Sequence, residues 1–274
     1  MEDRPTTGRL VQPSELTDEP LFEERTRFYI PVTKPIFTRW LVIINVAVFI
    51  LTVLYGVWQF GSRDFLGNDL RSLIIFGAKV NQLIALGQVW RLFTATFLHA
   101  DILHLLFNMY ALSSLGYQIE SYFGRGRFLV IYVLAGLWGS LASYATSTEI
   151  SVGASGAIFG LAGATAIYFL RYRENFGEAG RATLRSMLVL IGFNLVFGFT
   201  NAQIDNAGHI GGLIGGALVT LGMLPTYRKP TTMQLGNQPL EKIHHLDREI
   251  PWVAANLALL WIGVSFVTRN LLAG

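Results

Sequence analysis

Seven apolar stretches separated by polar segments form the main pattern along the chain. A helix needs about 20 apolar residues to cross the hydrocarbon core of a bilayer. Seven stretches approach that length: Trp40–Phe60, Ile102–Tyr117, Phe128–Tyr144, Ala154–Leu170, Leu184–Phe199, Ala207–Leu224 and Trp252–Leu271. The pattern therefore predicts an all-α polytopic membrane protein whose shorter helices are buried among their neighbours.

The positions of Lys and Arg predict the orientation of these helices. Cytoplasmic loops of membrane proteins carry an excess of Lys and Arg. If the N-terminus lies in the cytoplasm, most of the 21 basic residues lie on that side, and the exceptions are Arg63, Arg71, Lys79, Arg91 and Arg269. We therefore expect a cytoplasmic N-terminus and an outer C-terminus.

These two patterns divide the chain into four segments. We expect a cytoplasmic N-terminal tail over residues 1–39, a six-helix core over 40–224, a cytoplasmic linker over 225–251 and a seventh transmembrane helix over 252–274. Within the core, residues 61–101 form a long outer loop. Loops beyond about 15 residues are usually functional or structured, so we expect a folded element lying partly in the outer interface.

Composition supports a membrane protein and narrows its chemistry. Charged residues make up 14% of the chain, against about 25% in soluble domains, and the mean hydropathy is +0.44. The net charge of +3 is not concentrated on a basic face, so nucleic-acid binding is not expected. The chain has no cysteine, which excludes disulfides, a thiol nucleophile and thiolate metal sites.

Four polar residues are predicted to lie at a similar depth, just below the outer surface. The second, fourth and sixth spans all run inward, and their outer ends carry His104, Asn108, Ser155 and His209. Ionisable groups in lipid are costly and are usually kept for function. The predicted topology thus brings residues that are distant in sequence to a similar depth in the membrane.

Ser155 and His209 form the first candidate pair, a nucleophile and its base. A serine hydroxyl is a weak nucleophile and needs an adjacent base. Small residues let transmembrane helices approach closely, and glycines flank both sites: Gly156 and Gly160 on one span, Gly208, Gly212 and Gly216 on the other. Alternatively, Ser155 serves only as a small packing residue. The glycines, likewise, could serve helix packing alone.

His104 and Asn108 are candidate donors for an oxyanion hole. Their i, i+4 spacing places them on one helix face, and acyl transfer needs donors aimed at the developing oxyanion. The backbone N–H of Ser155 would add a third donor. The alternative for Asn108 is a polar clamp between helices.

Two further roles were weighed around His209. A metal held by His99, His104 and His209 is not expected, because no carboxylate-containing metal motif accompanies them, and no cofactor is expected. Asp205 is a candidate third member of a triad, and the alternative is that Asp205 or Asn206 caps the sixth span. We favour the cap and a Ser–His dyad.

On these residues the chain resembles the rhomboid family of intramembrane serine proteases, over roughly Trp40 to Leu224. The seventh span resembles the family's "6+1" subtype. The matching motifs are Trp90-Arg91 in the first loop, His99, His104 and Asn108 in the H-x(4)-H-x(3)-N pattern, Glu120 after the second span, Gly153-Ala154-Ser155-Gly156 in the G-x-S-G pattern, and Gly208-His209.

The resemblance implies a rhomboid-like six-helix bundle plus the seventh helix, with Ser155 as nucleophile and His209 as base. It implies an oxyanion hole from His104, Asn108 and the Ser155 N–H. Phe159 stands where many relatives carry a tyrosine that packs on the catalytic histidine. Supporting roles are implied for Trp90, Arg91, His99, Glu120 and Phe159.

The resemblance also implies partners and a location. Substrates would be single-span transmembrane proteins cut near the outer face of the bilayer, and the expected location is the plasma membrane of a bacterium. The alternative is a non-catalytic rhomboid-like binder of membrane helices, although such relatives typically lack the serine or the histidine. A transporter is less well supported, because the polar groups gather on one side of the membrane.

Overall fold

The computed structural model describes residues 26–201, 204–232 and 236–273. The chain divides into two compact units. One combines the segment that ends at Pro31 with Thr226–Ile243, and the other contains Val32–Pro225 and His244–Gly274. Most of the predicted N-terminal tail, residues 1–25, lies outside the described residues.

The smaller unit contains four short strands: β1 (Thr26–Tyr29), β2 (Thr226–Arg228), β3 (Gly236–Pro239) and β4 (Glu241–Ile243). Strand β1 pairs with β3 in parallel, and β2 pairs with β4 antiparallel. We predicted a polar linker over 225–251 and no strand within it. Strands of three or four residues are too short to show the alternation that indicates a strand in sequence.

The larger unit is helical, with short polar connections. Its helices are α1 (Phe37–Phe60), α2 (Leu70–Phe76), α3 (Asn81–Ala85), α4 (Arg91–Thr94), α5 (Ile102–Ala111), α6 (Tyr117–Phe123), α7 (Arg125–Thr146), α8 (Ser155–Arg171), α9 (Arg173–Thr200), α10 (Asn206–Met223) and α11 (Leu246–Ala273). A π-helical turn over Leu112–Gly116 joins α5 to α6, and α9 is kinked at Gly177.

The seven predicted spans coincide with helical regions, although their bounds differ. The second continues to Phe123 through the π-helical turn, and the seventh begins at Leu246 rather than Trp252. Among the described residues, four helices are long and apolar enough to cross a membrane, namely α1, α7, the Phe176–Thr200 part of α9, and α11. The fold class is confirmed as an all-α polytopic membrane protein, and the number of spans stays a prediction.

Residues 61–101, which we predict to be the long outer loop, are folded, as predicted. They contain α2, α3, α4 and a 3₁₀ turn over Ala95–Phe97. Two isolated antiparallel bridges fix this loop, one from Gly67 to Asp101 and one from Lys79 to Ser151. The second bridge matters for the site, because Ser151 lies just before α8.

Helices α7, α8 and α10 pack together at the centre of the larger unit. Glycines make this contact possible. A Cβ atom added at Gly139 or Gly156 would lie 2.7 or 3.3 Å from the carbonyl oxygen of Gly208, and one added at Gly160 would lie 3.0 Å from that of Gly212. The predicted close approach of the two glycine-lined helices is therefore confirmed.

Candidate active site

Ser155 is the first residue of α8, and the backbone just before it requires glycine. Gly153 has a φ of 127°, a conformation that residues with a Cβ rarely adopt. A Cβ there would also lie 2.7 Å from His104 Nε2 and 3.7 Å from Ser155 Oγ. His104 and Ser155 therefore both approach the same backbone position, and Gly153 leaves the space between them open.

His209 lies in the first turn of α10 and is held against α8. Its ring stacks on Phe159, with ring centroids 4.3 Å apart and an interplanar angle of 11°. Phe159 lies one turn after Ser155 on the same helix, so α8 carries both the serine and the ring that orients the imidazole. Among the described residues, no hydrogen bond joins Ser155 to His209, and such bonds often tighten only when substrate binds.

The spacing of Ser155 and His209 follows from the backbones beside them. Gly156 follows the serine, and Gly208 precedes the histidine. A Cβ at Gly156 would lie 3.3 Å from the Gly208 carbonyl oxygen, so the two helices touch at this level. A side chain at Gly156 would require the two backbones to move apart slightly at this level.

His104 and Asn108 lie on α5, and His104 approaches Ser155 at the Gly153 position. Asp101 caps this helix, because its Oδ1 accepts a hydrogen bond from the His104 N–H at 2.9 Å. Asn108 is buried, and its Nδ2 donates to the His104 carbonyl oxygen at 2.8 Å. That bond lies within one helix, so it does not form the interhelical clamp that we weighed. A primary amide has two N–H donors, and the second remains for another acceptor.

His99 is fully buried in the outer loop just before α5. Its ring centroid lies 5.1 Å from that of His104, and its carbonyl oxygen accepts a hydrogen bond from Asn68 Nδ2 at 2.7 Å. Burial, assisted by the neighbouring His104, lowers the pKa of His99 to about 3. A neutral His99 ring thus packs beside His104 at physiological pH.

Arg91 and Trp90 fix the outer loop rather than the site itself. The buried Arg91 donates from Nη1 to the carbonyl oxygens of Ile74 at 2.7 Å and Ala78 at 3.0 Å. Its guanidinium also lies 4.8 Å from the ring centroid of Trp90. These contacts join α4 to the end of α2 and to the residues that follow it.

Glu120 holds the start of α1. It is fully buried, and its two oxygens accept hydrogen bonds from the backbone N–H groups of Ile36, Phe37 and Thr38 at 2.7, 2.9 and 2.8 Å. The Thr38 hydroxyl donates a further bond at 2.7 Å. Helix N-termini carry unpaired N–H groups, and Glu120 satisfies them from a distant part of the chain.

A small cavity lies beside Ser155. Its volume is ≈ 30 Å³, and its lining includes Gly153, Ser155, Ser151, Asp205 and Lys79. This is enough space for at least one water molecule. The polar groups on its wall come from the outer loop, from the segment before α8 and from the start of α10.

Asp205 acts as the N-cap of α10 in the described structure. Its Oδ1 accepts from the Gly208 N–H at 2.8 Å, and its Oδ2 accepts from Ser151 Oγ at 2.6 Å. The buried Nδ1 of His209 has no hydrogen-bond partner among the described residues. The capping interpretation of Asp205 is therefore favoured over membership of a triad.

We expect Asp205→Asn to keep near-normal turnover. The asparagine oxygen can still cap α10, and the serine hydroxyl can accept from the new amide instead of donating. Loss of a triad aspartate costs about 10⁴ in kcat. The measurement is kcat of the folded variant, and a collapse approaching that size would establish a triad.

Sequence analysis missed two residues next to the site, Lys79 and Ser151. Lys79 is almost fully buried, whereas the sequence pattern indicates only that it belongs to the few basic residues on the outer side. One signal was available: Lys79 and Asn81 are polar positions between the apolar runs Leu73–Phe76 and Leu83–Leu86. Nothing in the sequence pairs Ser151 with Asp205.

Comparison with known proteins finds a matching family model and several similar proteins. Residues 86–226 match the family model described as Rhomboid domain. The chain is 45% identical to "Rhomboid protease GluP" of Bacillus subtilis (strain 168) over 192 residues, which cover 69% of this chain and 36% of that protein. It is 31% identical to "Rhomboid protease AarA" of Providencia stuartii over 210 residues, 68% of this chain and 72% of that protein.

A further relative is shorter and is covered almost completely. "Putative rhomboid protease YdcA" of Bacillus subtilis (strain 168) is 33% identical over 177 residues, 64% of this chain and 86% of that protein. By contrast, the chain spans only 36% of GluP and 49% of "RHOMBOID-like protein 5" of Arabidopsis thaliana.

Proposed function

Since this chain belongs to the rhomboid family, we propose that it is an intramembrane serine endopeptidase that works by a Ser155–His209 dyad. The stacking of His209 on Phe159 is the observation that supports this most. It keeps the imidazole against the helix that begins with Ser155. The relatives named as rhomboid proteases support the same activity.

The chemistry needs two rounds of proton transfer by one imidazole. The hydroxyl proton of Ser155 moves to His209 as Oγ bonds to the carbonyl carbon of the scissile peptide. His209 then gives that proton to the leaving amine, and the C–N bond breaks to leave an acyl-enzyme. Water, deprotonated by His209, attacks the ester, and the proton returns to Ser155 as the acid product leaves.

The tetrahedral intermediates carry a negative oxygen that needs donors. The second N–H of Asn108, the imidazole of His104 and the backbone N–H of Ser155 are the proposed donors. The proximity of His104 Nε2 to Gly153 and Ser155 Oγ supports this role. Donors preorganised at the developing charge usually supply the largest catalytic term.

The membrane arrangement is part of the proposal. Residues 40–224 form the six-helix catalytic core and 252–274 the seventh helix, with the N-terminus in the cytoplasm of a bacterium and the C-terminus outside. The residues 1–39 and 225–251 lie on the cytoplasmic side. Substrates are single-span membrane proteins, cut near the outer face where Ser155 and His209 lie.

Cleavage in a bilayer tests this function. The purified protein is reconstituted in liposomes with a model single-span substrate, and wild type is compared with Ser155→Ala. We expect wild type to produce two fragments cut near the outer face and the variant to produce none. If both proteins bind the substrate and neither cuts it, the protein is a binder of membrane helices.

Substrate must reach the dyad from the lipid, and α9 is the proposed gate. Only 11% of an 18-residue apolar window within Phe176–Thr200 is buried, and Phe197 and Phe199 are 53% and 74% exposed. Its outer end is joined to α10 by a hydrogen bond from Asn206 Nδ2 to the Leu195 carbonyl oxygen at 3.2 Å. We propose that this end of α9 moves aside to admit a substrate helix, a step that can limit turnover.

We expect Asn206→Ala to speed cleavage of a membrane-embedded substrate. A hydrogen bond contributes about 1 kcal/mol, so its loss would raise the open fraction by up to about fivefold. Asn194→Ala is the matched control, because it removes an amide that bonds only within α9, to Leu190. The measurement is the cleavage rate in liposomes beside the rate of labelling by a small fluorophosphonate, which should not change. If Asn206→Ala and Asn194→Ala cleave the substrate at equal rates, the gate lies elsewhere.

A further inference from the structure

A buried lysine fixes the segment that leads to Ser155. We call residues 147–154 the serine segment. Lys79 is 1% exposed, and its Nζ donates to the carbonyl oxygens of Ser147 at 2.9 Å and Glu149 at 2.8 Å. The backbones of Lys79 and Ser151 also pair, with N–H to oxygen bonds of 3.0 and 3.2 Å. The serine segment is therefore attached to the outer loop over most of its length.

Ser151 joins the serine segment to the start of α10. Its hydroxyl donates to Asp205 Oδ2 at 2.6 Å, while Asp205 Oδ1 caps α10 through the Gly208 N–H. Ser151 precedes Ser155 by four residues, and Asp205 likewise precedes His209 by four residues. This side-chain hydrogen bond thus connects the two segments that lead to the two members of the dyad.

Lys79 also supplies a positive charge near Asp205. Burial lowers the pKa of Lys79, and the charges of Asp205 and Glu149 oppose that shift. The ammonium of Lys79 therefore acts on the carboxylate that Ser151 binds. Asp205 thus has a cation nearby in addition to the hydrogen bonds from Ser151 and Gly208.

We propose that Ser151 is a positioning residue for the dyad, because its hydrogen bond to Asp205 holds the serine segment in register with the helix that carries His209. The glycine contact between α8 and α10 sets how far apart the helices lie. Ser155 and His209 lie at the outer ends of α8 and α10. The Ser151–Asp205 hydrogen bond sets how these two ends are aligned. This inference rests on the proposed function.

The expected effect is on turnover. A misplacement of about 1 Å between reacting groups can cost about 10² in rate, whereas the loss of a single hydrogen bond lowers the stability of the fold only modestly. Ser151→Ala should therefore lower kcat by about tenfold to 10² with little change in KM. Ser151→Thr keeps the hydroxyl and should restore most of the loss.

The experiment measures kcat, KM and Tm for Ser151→Ala, Ser151→Thr and Thr148→Ala in liposomes. Thr148 is exposed on the same segment and is the matched control, expected to match wild type. A double-mutant cycle with Asp205→Ala adds a second readout, since residues that share one bond are non-additive. Ser151→Ala should have no further effect on kcat in the Asp205→Ala background.

The outcomes separate this proposal from the proposed function. Wild-type kcat in Ser151→Ala with a lowered Tm, or full additivity in the cycle, would overturn the positioning role while leaving the dyad intact. A wild-type protein that neither cleaves substrate nor reacts with a fluorophosphonate would overturn the proposed function itself. Failure of Ser151→Thr to restore any turnover would also contradict the positioning role.

Discussion

Ser155→Ala and His209→Ala are each expected to lose kcat by a factor on the order of 10⁶, the loss known when a serine protease loses its nucleophile or base. The two residues act as one unit in proton transfer. The double variant should therefore be no slower than either single variant. The measurement is the initial rate of substrate cleavage in liposomes at matched protein content.

Two exposed residues provide the matched controls for these variants. Ser186→Ala and His244→Ala change the same residue types at exposed positions and should cleave at the wild-type rate. Measurable turnover by Ser155→Ala would identify another nucleophile. Turnover near the wild-type level in His209→Ala would assign the base elsewhere.

Asn108→Ala is expected to lower kcat by about 10² to 10³, the cost of removing one principal oxyanion donor. KM should change much less, because the oxyanion exists only in the transition state and the intermediates. The variant also loses the bond from Asn108 to His104, so a moderate fall in Tm is expected as well. The loss in kcat will be smaller if His104 and the Ser155 N–H compensate.

Asn45 is a matched control for the structural part of this effect. It is buried, and its Nδ2 donates to the Leu41 carbonyl oxygen at 2.7 Å within α1, as Asn108 does within α5. Asn45→Ala should lower Tm and leave kcat unchanged. Should Asn108→Ala behave in the same way, Asn108 is a structural residue only.

The sequence predicts those parts of the site that depend on helix pattern and topology. The helices that carry Ser155 and His209 are recognisable from their apolar runs, and the glycines predict their close approach, which the structure contains. Helix packing through small residues depends on local spacing along each helix. Such spacing can be read from one sequence.

Partners that depend on long-range placement could not be predicted. Arg127 was counted among cytoplasmic charges, yet it is buried and its Nη2 lies 2.5 Å from Glu249 Oε1 at the start of α11. The hydrogen bond between Trp138 Nε1 and Asn256 Oδ1 also links α7 to α11, at 3.2 Å. These pairs join residues more than a hundred positions apart, and no local pattern specifies them. No local pattern specifies the hydrogen bond between Ser151 and Asp205 either, although these two residues are only 54 positions apart.

The assignment of Ser155 as the nucleophile is tested most directly by locating a covalent adduct. Wild-type protein is treated with a fluorophosphonate probe, digested, and mapped by peptide mass spectrometry, with Ser155→Ala and His209→Ala treated in parallel. We predict a single adduct on Ser155 in wild type and none in either variant. An adduct on a different residue, or labelling that persists in Ser155→Ala, would contradict the proposed dyad.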